Sequence, residues 1–132
     1  MFRIVFGLSS ALLFGSVTFA QDNSGASSPL RPSYYACVKS SGGVTLTLNN
    51  CIGTEHDFQD KRLNTAYQRL RASLDVTERT SLRDEERAWI AQRDSACREN
   101  EGGTADLLDT NQCQLNQTAA RAVVLENRLR QK

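Results

Sequence analysis

The sequence predicts an all-α protein: a small antiparallel helical bundle of three long helices and one short N-terminal helix, with two disulfide-stapled Gly-Gly hairpin corners. Three observations carry this. Apolar residues recur at spacings of three and four from residue 63 onward, which keeps them on one face of a helix. The stretch "CVKSSGG" (37–43) returns in other letters as "CRENEGG" (97–103), and each copy is followed by a second cysteine, Cys51 and Cys113. The one alternating stretch, "VTLTL" at 44–48, has no second strand to pair with and reads as a helix start or an extended turn.

Residues 1–20, "MFRIVFGLSSALLFGSVTFA", combine an early cation (Arg3), an apolar run and small residues at Thr18 and Ala20. That is the layout of a secretory signal peptide, with cleavage expected after Ala20. The run is too short and too interrupted by Gly and Ser for a membrane span, which needs about 20 apolar residues. No cysteine precedes Cys37, so a lipid anchor is not expected, and the mature chain is read as exported and soluble, periplasmic or secreted. Residues 21–33, rich in Ser, Gly and Pro, read as a flexible leader that adds nothing to the core. Residues 34–132 are then one helical domain, taken to be a monomer.

The helices are expected in order. A short one precedes the first Gly-Gly. After Cys51, Leu63, Tyr67, Leu70 and Leu74 follow at spacings of four, three and four. Asp75 with Glu78 three residues on makes a capping box, so a new helix should start near Val76 and run to the Gly-Gly at 102. Its inner stripe holds Leu82, Trp89, Arg93 and Cys97. Leu108, Leu115, Ala122 and Leu129, with Thr118 and Leu125, mark the last helix.

Four cysteines in an exported chain of this length read as two disulfides. They allow three pairings. Gly takes a left-handed conformation without penalty, so each Gly-Gly can end a helix and turn the chain back. That favours Cys37 with Cys51 and Cys97 with Cys113, closing loops worth about 3 kcal/mol each in the chain-entropy estimate. A zinc site is the rival reading, but there is no C-x-x-C and only one histidine, His56.

Arg93 lies one turn from both Trp89 and Cys97, so it should face inward and need a partner. Glu55 and Glu126 are the candidates, while Asp94 is in reach of Arg98. Trp89 reads as the largest core anchor. Sixteen basic residues stand against fifteen acidic ones, a balance that argues against nucleic acid or an anionic membrane as the main partner. No G-x-S-x-G, no metal cluster and no free thiol is foreseen, so an enzyme is not expected and no cofactor is called for. The carboxylates of "DEER" (84–87) diverge around a helix and read as a solvated face.

The ordered set Cys37, Gly42, Gly43, Cys51, Glu55, Leu63, Asn64, Tyr67 and Leu70, then Arg87, Trp89, Arg93, Asp94 and Cys97, then Gly102, Gly103, Cys113, Thr118 and Arg121 resembles the LprI-like lysozyme-inhibitor domain, a small exported helical module of bacteria. The resemblance covers the chain from about Tyr35 onward. It implies a protein partner, lysozyme or another wall hydrolase, blocked without catalysis. The alternative is a periplasmic binding, envelope-stress or immunity module of the same fold with a different partner. An inhibitor of a glycosidase has only to plug a cleft that works with two carboxylates. Lys39 and Arg98, beside the two Gly-Gly corners, are the cations placed to do so.

Overall fold

The computed structural model describes residues 29–98 and 103–132. The expected signal peptide, residues 21–28 of the leader, and Gly102 lie outside the described residues. Four helices make up the rest: α1 (Pro32–Ser40), α2 (Thr45–Ala72), α3 (Val76–Ala96) and α4 (Thr104–Arg130). Among the described residues there is no strand. The alternating stretch 44–48 is a helix start, with extended Val44 at the N-cap of α2.

Each boundary has a local cause. Pro32 opens α1 at a position where its missing N–H costs nothing. Gly42 and Gly43, at φ +59° and +80°, follow α1. A side chain at either would strain the left-handed backbone. Ser41 stabilises this turn, donating from Oγ to the Val38 carbonyl at 2.7 Å and accepting from the Gly43 amide at 3.2 Å. The capping box opens α3 where the sequence places it. Asp75 accepts from the Glu78 amide at 2.8 Å, and the Asp75 amide donates to Glu78 Oε2 at 3.1 Å. The far end of α3 differs from expectation, because the helix stops at Ala96 and Cys97 caps it.

The principal contact is between α2 and α4, with α1 on α2 and α3 only lightly against α4. Cross-links fix their directions. Asn49 meets Asn111, His56 meets Thr118 and Arg62 meets Glu126, so positions advance together and α2 runs parallel to α4. Glu78 meets Lys132, Glu85 meets Arg128 and Glu86 meets Arg121, so α3 runs against α4. The expectation of an antiparallel bundle therefore omits the pair that holds most of the core. In an up-down-up order the first and third long helices must be parallel.

The apolar core sits toward the C-terminal ends of α2 and α4: Leu63, Ala66, Leu70 and Leu74 with Leu82, Ala122 and Leu125. Burying each leucine stabilises by about 2 kcal/mol. Trp89 is a correction to the sequence reading, since it is half-buried and packs on the edge of this cluster together with Tyr67 and Leu129.

Candidate partner-binding surface

The disulfides join Cys37 to Cys51 and Cys97 to Cys113, with Cα separations of 5.7 and 5.5 Å. Both lie at the same end of the molecule. There the Asn111 side chain donates to Asn49 at 3.1 Å and the Tyr34 hydroxyl donates to Gln112 at 2.5 Å, joining α4 to α2 and α1.

Lys39 stands exposed in the last turn of α1, between Cys37 and the glycines. Just past them Val44 and Leu46 are 56% and 72% exposed. This corner carries an exposed cation and two exposed aliphatic side chains within eight residues, and the Cys37–Cys51 bond ties it to α2. The second corner is chemically different. Arg98 lines a groove of about 190 Å³ with Asp106 and Asp109, next to Cys97 and Cys113. Its charge therefore sits among carboxylates of its own chain.

Beneath the first corner lies a buried polar chain. Glu55 accepts from the Arg31 amide at 3.0 Å, from Arg31 Nε at 2.7 Å and from Gln59 at 2.7 Å. Gln59 also donates to the Pro29 carbonyl at 2.9 Å and accepts from Arg62 at 3.1 Å. Arg62 then grips both oxygens of Glu126, at 2.6 and 2.5 Å. Burial pushes the Glu55 carboxyl up, but the hydrogen bonds from Gln59 and Arg31 outweigh it and hold its pKa below the ordinary value. Residues 29–31, which the sequence reading leaves in the leader, are thus tied to α2.

Arg93 takes neither Glu55 nor Glu126. Its guanidinium pairs with Asp94 at 2.8 Å and lies 5.2 Å from the centre of the Trp89 ring. Asp94 accordingly faces Arg93, where the sequence reading set it against Arg98. Arg121 lies 5.9 Å from the same ring and pairs with Glu85 at 2.5 Å and with Glu86. Part of "DEER" is therefore a clamp: Glu86 is buried, and Glu85 also holds Arg128 at 2.9 Å. Burial raises the Glu85 pKa, but hydrogen bonds from Arg121 and Arg128 prevail and leave it lowered.

The remaining signature residues divide between packing and local bonding. Leu63 and Thr118 are buried, and Tyr67 is half-buried at the core edge. Asn64 is exposed and donates to the Asp60 carbonyl and carboxylate, both at 3.0 Å. His56 Nε2 is 3.4 Å from Thr118 Oγ1. Gly103 opens α4 at φ +133°. Sequence reasoning missed Arg31, Gln59 and Arg62, whose partners lie 24 to 64 positions away. It had no signal for them beyond the charge of the two arginines. No described helix is long and apolar enough to cross a membrane.

No curated protein and no solved structure matches this chain. The family described as "Lysozyme inhibitor LprI" matches residues 37–125, from the first disulfide cysteine to the last buried leucine of α4. On that match, which spans more than half of the sequence, the chain belongs to the LprI lysozyme-inhibitor family.

Proposed function

We propose that the protein is exported and binds a lysozyme-type cell-wall glycosidase, occupying its cleft and doing no chemistry itself. The observation that carries this reading is the family match over residues 37–125. The first corner supports it physically. A glycosidase works with two carboxylates across its cleft, and an exposed lysine beside two exposed aliphatic side chains is complementary to such a site. Cys37–Cys51 and the Ser41 hydrogen bonds hold this corner before any partner arrives, which lowers the entropic cost of binding. Arg98 is the weaker candidate, because Asp106 and Asp109 line the same groove.

The test is the rate of cell-wall lysis by lysozyme, with and without the oxidised protein from Gln21 onward. Dose-dependent slowing, lost on reduction, is the expected result. Undiminished lysis at a large molar excess would overturn the reading and turn attention to another envelope partner for the same fold.

A further inference from the structure

None of the five aromatic side chains that follow residue 20 is fully buried. The core is made of leucine and alanine, with Tyr67 and Trp89 at its edge. Tyr34, Tyr35 and Phe58 are not members of that cluster. In a small domain short of large apolar groups, leaving aromatic rings outside the core calls for another use. Tyr, Phe and Arg together make the composition that concentrates at protein interfaces.

Arg31 and Phe58 stack together beside the groove between α2 and α4, and Tyr35 follows Arg31 by four residues in α1. Tyr35 on α1 is 47% exposed. The Arg31 guanidinium lies 3.8 Å from the centre of the Phe58 ring, and Phe58 is itself 41% exposed. Phe58 then opens a groove of about 320 Å³ between α2 and α4, with Ala66 and Leu129 among its lining and Lys61 and Arg69 exposed beside them. Glu126 is the one carboxylate lining it, and Arg62 engages both of its oxygens. Residues 61–72 carry Lys61, Arg62, Arg69 and Arg71 with no acid among them. Glu78, Glu85 and Glu86 of α3 pair instead with Lys132, Arg128 and Arg121. A chain of balanced charge thus presents a cationic groove with an apolar lining.

Area points the same way. A stable protein complex buries about 800 Å² on each partner, more than Lys39, Val44 and Leu46 can supply. From Phe58 to Arg69, α2 rises roughly 17 Å, and the groove beside it supplies surface that the corner lacks. We infer that this strip, from Tyr35 through Phe58 to Arg69, is the face that receives the blocked glycosidase, and that the enzyme offers it carboxylates beside apolar side chains. This rests on the function proposed above.

The experiment measures inhibition of lysis, and lysozyme affinity by calorimetry, for wild type and for K61E/R69E. Both positions are exposed and outside the core, and melting by circular dichroism checks that the fold is kept. The expected result is an affinity at least tenfold weaker for K61E/R69E, several-fold weaker for Tyr35→Ala, and unchanged for Arg83→Glu on α3. Inhibition by K61E/R69E equal to wild type would overturn the strip and leave the lysozyme reading standing. A wild type that neither binds nor inhibits would overturn both.

Discussion

The two halves of α2 are held to the molecule by different forces. Toward its C-terminus, Leu63, Ala66 and Leu70 pack on Leu82, Ala122 and Leu125, and contact is apolar and short-ranged. Toward its N-terminus, Cys51 is bonded to Cys37, and Glu55 and Gln59 are buried in hydrogen bonds to Arg31, Pro29 and Arg62. A leucine core tolerates changes of pH and redox state but not changes of volume, whereas a half built from charge and sulfur has the opposite sensitivities. The half bearing the exposed corner is therefore the half that the medium can adjust.

The contrast can be broken most forcefully by reduction. Removing both disulfides should cost about 3 kcal/mol apiece, and hydrogen exchange should then show α1 and the N-terminal half of α2 opening before residues 63–72. Uniform opening would erase the distinction between halves. Leu70→Ala should cost about 3 to 4 kcal/mol in chemical denaturation, with the pH dependence of stability unchanged.

Glu55→Gln is expected to cost about 2 kcal/mol, since Arg31 and Gln59 lose a charged acceptor. The same variant should flatten the acid limb of the stability curve. Glu55 has a folded pKa below the ordinary 4.5, so its contribution is complete above that value and is lost as pH falls through the lower folded pKa. Stability of the wild type should accordingly decline below about pH 4.5 in thermal melts, and part of that decline should vanish in the variant. The smallest effect belongs to Trp89→Ala. A half-buried ring at the core edge should cost about 1 to 2 kcal/mol, less than a buried aromatic would, and tryptophan fluorescence of the wild type should report a partly solvated indole.

How far these features could be read from the sequence depends on their range. The capping box and the stripe through Leu63 and Leu70 are decided within a few residues, and they stand where the sequence puts them. Arg93 is different. Its inward placement follows from the helix period, but the choice of Asp94 as partner depends on how lightly α3 meets its neighbours. Arg31 was hidden by its surroundings, because Ser, Gly and Pro around it give no sign that its side chain reaches a buried glutamate. The parallel course of α2 and α4 is a matter of topology, which no local spacing encodes.

Each disulfide joins a cysteine to the next one along the chain, Cys37 to Cys51 and Cys97 to Cys113. A polypeptide that emerges N-terminus first presents its thiols in that same order. An oxidant that couples each newly exposed thiol to its waiting predecessor therefore arrives at the native set directly, with no wrong bond to undo. Maturation of this protein should need a thiol oxidase but no disulfide isomerase.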